Sequence, residues 1–332
     1  MSNTSIAAID LGTNSCRLQI VDKNGDILLR ESVTTKLGEG LVENMRFTDE
    51  AIARGLNCLN RYAELMRDYK VGKYRAITTA SCRMAKNGEQ FVKMVEKMSG
   101  IKLEIVSAEE EAMLNLRGAT LNASKDAEYI LVYDLGGGST EISLATNDKS
   151  PKMIHTISIP WGARNAAEHF DLCEYDEQKA LPLRSEVQKY VRDFLIDSEF
   201  LQYLPKCCAI ATSSTPLRLM NMIKNTSVYS KDFADGLTES TSKFDEQIKK
   251  IYASNLRERA ENPNIGENRA PIIVAAFVIF QTIYKTLKIK ELTASLKGAQ
   301  EAIIADLIKG NTTNGKINTI GKNGAWSQDL NR

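Results

Sequence analysis

The chain reads as an α/β protein built from two similar halves, and three observations carry that reading. An apolar run leading into an aspartate and a small-residue turn occurs twice, as Ala7-Ala8-Ile9-Asp10-Leu11-Gly12-Thr13-Asn14-Ser15 and as Ile130-Leu131-Val132-Tyr133-Asp134-Leu135-Gly136-Gly137-Gly138-Ser139-Thr140. Each copy is followed by two more strand-like runs and then by segments with helical spacing, the order of a sheet covered by helices. With 332 residues, 43% of them apolar, the chain has room for two such domains.

In the first half, residues 6–9, 17–21 and 27–34 read as strands, with Asp22-Lys23-Asn24-Gly25-Asp26 as a hairpin signal between the last two. After Thr48, apolar residues at Ala51, Ile52, Leu56, Leu59, Tyr62, Ala63 and Met66 follow helical spacing. A strand over 75–78, a helix over 89–98 and a strand over 103–106 complete this half. The second half repeats the order, with strands over 129–134, 140–145 and 153–159, helices over 163–170 and 177–195, and a strand over 208–211. The remainder to Lys309 reads as mostly helical. Small polar residues at 122–125 mark the boundary, so the expected domains are 1–125 and 126–310. Residues 311–332, rich in Asn, Gly and Thr, are expected to form a mobile tail. Residues 272–283 are apolar enough to serve as core or as a homodimer interface.

Lys and Arg number 43 against 42 Asp and Glu, a formal charge of +1. Such a balance offers no global field to nucleic acid or a membrane, so a polyanion must be met by local cations. Two histidines are too few for a histidine-rich metal site, and the six cysteines contain no Cys-x-x-Cys pattern. That usage fits buried thiols in a reducing cytosol. The first residues lack a basic region followed by an apolar core, and the uncharged stretch over 270–284 is shorter than the roughly 18–20 residues that span a bilayer. The expected location is the cytoplasm.

The paired loops suit a phosphate chain. Missing side chains let backbone N–H groups approach an anionic oxygen, while Asp10 and Asp134 at the strand ends can hold a hydrated cation. The second loop is the sharper signal, because three glycines followed by Ser139 and Thr140 can form an anion-binding nest. Glu141, seven residues beyond Asp134, is close enough to share the metal. Thr140-Glu141-Ile142-Ser143-Leu144 also alternates like a strand, so a plain hairpin accounts for the same glycines. Ser107-Ala108-Glu109-Glu110 is a capping box that explains Ser107 and Glu110 and leaves Glu111 unexplained. Arg83, after a Thr-Thr-Ala-Ser turn, can hold a phosphate in a bidentate pair, and Arg17, Lys36 and Arg269 are further candidate cations. The loops alone would also serve ATP in a kinase, although residues 212–216 lack the glycine pair of an adenosine-binding turn.

The motifs Asp10-Leu11-Gly12-Thr13-Asn14-Ser15-Cys16-Arg17-Leu18 and Asp134-Leu135-Gly136-Gly137-Gly138-Ser139-Thr140-Glu141 resemble the two phosphate motifs of the Ppx/GppA family of exopolyphosphatases and guanosine pentaphosphate phosphatases. Leu37-Gly38-Glu39-Gly40-Leu41, Thr79-Ala80-Ser81-Cys82-Arg83 and Ser107-Ala108-Glu109-Glu110-Glu111-Ala112 match in the same order. The resemblance implies two ribonuclease-H-like domains of the actin/hexokinase/Hsp70 superfamily around an interdomain cleft, in a short two-domain form. It implies phosphate binding by Gly12, Thr13, Asn14, Ser15, Arg17, Arg83, Gly136, Gly137, Gly138, Ser139 and Thr140. It further implies Mg²⁺ at Asp134, Glu141 and Asp10, and Glu111 as the catalytic base. The implied substrate is inorganic polyphosphate or guanosine pentaphosphate (pppGpp), with a non-catalytic binder of polyphosphate or ppGpp as the alternative of another class. The chain departs from the family pattern at Ala108, Met113, Ser214, Pro271 and Gln300, which bears on substrate choice.

Overall fold

The computed structural model describes residues 4–148, 151–310, 318–320 and 326–328. The chain divides into two compact units, Met1–Ser107 with Ala299–Arg332, and Ala108–Gly298. In the first unit lie β1 (Ser5–Leu11), β2 (Ser15–Val21), β3 (Ile27–Thr34), β4 (Val71–Thr78) and β5 (Leu103–Ile105). β1 and β2 pair antiparallel, as do β2 and β3, whereas β4 runs parallel to both β1 and β5. β1 is central and buried on both faces, so nearly every residue in it is apolar. The Asp49–Asp68 helix begins where Thr48 accepts a hydrogen bond from Ala51 N at 3.2 Å. It buries Leu56, Leu59, Tyr62 and Met66 in the core of this unit.

The second unit repeats the pattern with β6 (Tyr129–Leu135), β7 (Thr140–Thr146), β8 (Met153–Ile159), β9 (Cys207–Thr212), β10 (Thr238–Ser240) and β11 (Glu291–Ser295). Its order is β8–β7–β6–β9–β11, closed by β10 at the edge. The antiparallel trio followed by two parallel strands is therefore present twice, and this is the ribonuclease-H-like arrangement implied by the family resemblance. β10 and β11 lie in the stretch that reads as helical. β11 is a five-residue strand whose burial comes from its neighbour β9 rather than from any period of its own. The Ile273–Thr286 helix is buried along almost its whole length against the Glu177–Asp197 and Ala163–His169 helices, so the apolar run over 272–283 is core of its own unit.

The division does not fall at 125/126 and 310. The Ala108–Ala119 helix packs on β6, β7 and β8, where Leu116 and Ala119 join Ile130, Val132, Ala145 and Ile210. The Ala299–Lys309 helix packs on β1, with Gln300 Nε2 donating to Ala8 O at 3.1 Å and Glu301 meeting Arg30 at 3.1 Å. Each helix follows its apolar face to the sheet that buries it, which chain order does not reveal. Most of the tail expected over 311–332 lies outside the described residues. Two pieces of it are described, β12 (Asn318–Ile320) and β13 (Trp326–Gln328), which extend the first sheet beside β4. Among the described residues no helix is long and apolar enough to cross a membrane, and all six cysteines are free.

Candidate active site

Both small-residue loops are hairpins closed by the same backbone hydrogen bond. Gly12 N donates to Ser15 O at 3.0 Å and Gly136 N to Ser139 O at 3.0 Å. The plain-hairpin account of the glycines is thus right about topology, and what adds anion-binding capacity is the segment that follows the third strand of each unit. In the first unit that segment donates from Gly38 N to Thr13 O at 2.8 Å, and from Thr35 N and Lys36 N to Asn14 O at 3.1 and 3.0 Å. In the second, Ala163 N donates to Gly136 O at 2.9 Å, Arg164 N to Gly137 O at 2.8 Å and Asn165 Nδ2 to Gly138 O at 2.8 Å. With the carbonyls drawn to one side, the N–H groups of Gly137, Gly138 and Ser139 find no acceptor among the described residues. A run of such N–H groups is what a phosphoryl oxygen requires. Thr140 has a different role, since it is buried and its hydroxyl donates to Trp161 O at 2.7 Å, tying the loop to the same segment.

The clamp depends on close approach. A Cβ on Gly162 would stand 2.6 Å from Gly137 C and Gly138 N, both backbone atoms, whereas a Cβ on Gly38 would first meet the Thr13 methyl at 2.2 Å. Gly162→Ala should therefore displace the glycine loop, costing about 1–3 kcal/mol of stability and at least about tenfold in tripolyphosphate affinity. Gly38→Ala should cost less, because a methyl yields more readily than a peptide. Thermal melts and calorimetric titrations of both variants check the order, and an unaffected Gly162→Ala would remove the clamp.

Strand register sets the residues around the loops. Asp10 stands opposite Arg17 and Asp134 opposite Glu141. In the first unit the pair is complementary, with Arg17 Nη1 3.8 Å from Asp10 Oδ2. In the second it is acid against acid, and like charges in direct register are destabilising unless something neutralises them. Glu111, from the first turn of the Ala108–Ala119 helix, joins them, so that one carboxylate oxygen from each of Glu111, Asp134 and Glu141 lies within 4.8 Å of the others. Glu111 and Glu141 are buried, at 8% and 2% exposure. At an effective dielectric near 20 each pair at this separation repels by about 3–4 kcal/mol. An all-oxygen, anionic and largely buried donor set fits a hard divalent cation.

The supporting polar groups also follow the register. Asp134 accepts from Asn115 Nδ2 at 2.7 Å and from Thr212 Oγ1 at 2.8 Å, and Glu141 accepts from Ser158 Oγ at 3.0 Å. Ser158, Glu141, Asp134 and Thr212 form one row across β8, β7, β6 and β9. Asn115 is one helical turn beyond Glu111, and its helix comes so close to Gly298 that a Cβ on Gly118 would overlap the Gly298 carbonyl. Sequence reasoning missed Asn115, Thr212, Ser158, Gly162 and Asn165. The first had a signal in its spacing of four from Glu111, while the others acquire meaning only through pairing.

The other expected site residues belong to the first unit, apart from Arg269. Asp10 meets Arg17, whose Nη1 lies 3.8 Å from its Oδ2. Arg83 is half-buried, its Nη1 donating to Val106 O at 2.8 Å. Lys36 adopts a left-handed conformation at φ 49° in the turn that holds Asn14 O. Arg269 lies in the turn ahead of the Ile273–Thr286 helix. Among the departures from the family pattern, Gln300 bonds β1, Met113 packs beside the Leu116–Ala119 cluster, and Ser214 opens a helix after Ser213 at φ 84°. Burial pushes the Cys82 thiol up to about 12, so it stays protonated and is no nucleophile.

The sequence profile of the Ppx/GppA phosphatase family matches residues 18–310. The chain is 27% identical over 292 residues to a bifunctional 3-dehydroquinate synthase/phosphatase of Fusobacterium nucleatum, covering 83% of this chain and 42% of that protein. It is 25% identical over 315 residues to a guanosine-5'-triphosphate,3'-diphosphate pyrophosphatase of Pseudoalteromonas atlantica, covering 91% of this chain and 58% of that protein. The chain thus spans about half the length of the curated relatives it matches. Among solved structures it shares the fold of an exopolyphosphatase from Cytophaga hutchinsonii, with a TM-score of 0.81, 23% identity, and coverage of 92% of this chain and 98% of that one. It also shares the fold of a Ppx/GppA family member from Aquifex aeolicus, with a TM-score of 0.76, 23% identity, and coverage of 94% and 100%.

Proposed function

Because the chain belongs to the Ppx/GppA phosphatase family, we propose that it hydrolyses the terminal phosphoanhydride of inorganic polyphosphate. The observation that carries this reading is the trio of Glu111, Asp134 and Glu141, two of them buried, in the same unit as the Gly136-Gly137-Gly138-Ser139 loop. Asp134 and Glu141 hold a Mg²⁺ ion, assisted by the partners that fix their carboxylates. When bound, the ion neutralises phosphoryl charge and lowers the cost of approach by a nucleophile. The backbone N–H groups of Gly137, Gly138 and Ser139 grip non-bridging oxygens. Glu111 orients a water in line with the scissile bond and accepts its proton as the oxygen bonds to phosphorus and the shortened chain departs. Most of the acceleration comes from positioning and electrostatics, with no side-chain nucleophile required. The six free thiols support a reducing, cytoplasmic setting.

Guanosine pentaphosphate is the second reading, supported by the name of the Pseudoalteromonas relative. It presents the same terminal phosphoanhydride. Phosphate release from polyphosphate and from pppGpp, with Mg²⁺ and with excess chelator, tests the proposal. Release from at least one substrate should fall to background in chelator and recover when Mg²⁺ is restored. Binding of both without release at any Mg²⁺ concentration would make the protein a non-catalytic binder.

A further inference from the structure

In the first unit two thiols from separate elements stand side by side. Cys16 lies in β2, in register with Leu11 of β1 where the two strands leave the turn over 12–15, and Cys58 lies on the buried face of the Asp49–Asp68 helix. Tyr62, one helical turn beyond Cys58, donates its hydroxyl to Cys16 O at 2.8 Å, which fastens this face of the helix onto the strand. Both cysteines belong to the core of the unit, Cys16 fully buried and Cys58 at 5% exposure. Their thiols interact directly, and the pair is unequal. Burial holds the Cys16 thiol well above the usual range, while the neighbouring Cys16 S–H, aided by the Tyr62 hydroxyl, draws the Cys58 thiol below it. Cys82 of the same unit instead meets the Thr78 hydroxyl, at 3.1 Å.

We propose that Cys16 and Cys58 form a redox modification site, which hydrogen peroxide closes to an intramolecular disulfide and a dithiol reopens. Cys58 Sγ attacks as the thiolate, breaking the O–O bond of the peroxide. The departing hydroxide leaves as water with the Cys58 proton, and a sulfenic acid remains on Cys58. Cys16 Sγ then attacks that sulfur, the S–O bond breaks, and the second hydroxide leaves as water with the Cys16 proton. Two electrons pass from the sulfurs to one peroxide molecule, which becomes two waters. Hydrogen peroxide is small enough for the slight opening at Cys58, and the resolving thiol is already beside the sulfur that is oxidised. In a reducing compartment the pair stays open, and disulfides that form there are transient and redox-sensing. The cross-link ties the Asp49–Asp68 helix to the base of the first small-residue hairpin, so an oxidant acts on that loop from within its own unit. None of this depends on polyphosphate being the substrate.

The test treats the full, reduced chain with hydrogen peroxide and reads its thiols. Titration in denaturant should show the loss of two of the six thiols. The intact mass should fall by about 2 Da, the two hydrogens given up. A digest made without reductant should join the Cys16 and Cys58 peptides, and dithiothreitol should restore all six thiols. The two single variants separate the roles. Cys16→Ser should leave a sulfenic acid on Cys58 that a 1,3-dione probe captures, whereas Cys58→Ser should slow the reaction of peroxide with this pair by about tenfold or more. Six thiols surviving peroxide, a bridge confined to Cys207 and Cys208, or oxidation of Cys58 with no bridge to Cys16 would each overturn the proposal. Faster reaction at Cys16 in Cys58→Ser than at Cys58 in Cys16→Ser would do the same. The peptide map of the unsubstituted chain decides the point even where a buried substitution prevents folding.

Discussion

Glu111→Gln is expected to slow polyphosphate hydrolysis by about 10²–10⁴-fold, the usual weight of a general base. The substitution keeps the shape of a buried side chain in the first turn of the Ala108–Ala119 helix and removes only its ability to take a proton and carry charge. Polyphosphate binding should survive, since no cation or loop N–H group is altered. Glu111 also lies within 4.8 Å of Asp134 and Glu141, so a lost metal ligand could produce the same fall in rate. Raising Mg²⁺ separates the two. If saturating Mg²⁺ restores the rate of Glu111→Gln, the carboxylate is a ligand and the assignment as base is wrong.

Asp134→Asn should give the opposite signature, with a half-saturating Mg²⁺ concentration raised about tenfold or more and a maximum rate lowered about 10²-fold. Both Asp134 oxygens already accept, one from Asn115 Nδ2 at 2.7 Å and one from Thr212 Oγ1 at 2.8 Å. An amide nitrogen placed in either position would face a donor, and a mismatched buried polar group costs about 1–3 kcal/mol. The metal would lose a charged ligand and the remaining oxygen would lose its fixed orientation. Asp10→Asn provides the comparison. Asp10, which the family resemblance also implies as a metal ligand, stands opposite the cation Arg17, so its removal should shift the Mg²⁺ titration less than that of Asp134. A Mg²⁺ requirement that moves with Asp10 and not with Asp134 would relocate the ion.

Much of the candidate site was legible along the chain. Asp134, the glycines and Glu141 fall within one hairpin, where strand alternation and turn chemistry are local properties. The contrast between the two halves was also present, because the residue seven beyond each aspartate is Arg17 in one and Glu141 in the other. Thr140 was legible only as a member of the motif, and its hydroxyl turned out to anchor the loop to Trp161. Gly162 and Asn165 carried no signal, since nothing in the sequence says that the turn after β8 packs against the glycine loop.

The sequence by itself determined that the chain is a duplicated α/β protein, that each half opens with a strand, a terminal aspartate and a small-residue hairpin, and that Glu111 is left unexplained by capping. Those features follow from periods of two and 3.6 residues and from turn chemistry, which act over a few neighbours. The tertiary structure alone decided which unit owns Glu111, that Ala299–Lys309 returns to β1, and that Thr212, 78 residues beyond Asp134, holds its carboxylate. The physical reason is that these choices depend on which sheet face buries a helix and which register two distant strands adopt. Both are settled by packing free energy summed over the whole unit, and no local pattern records that sum.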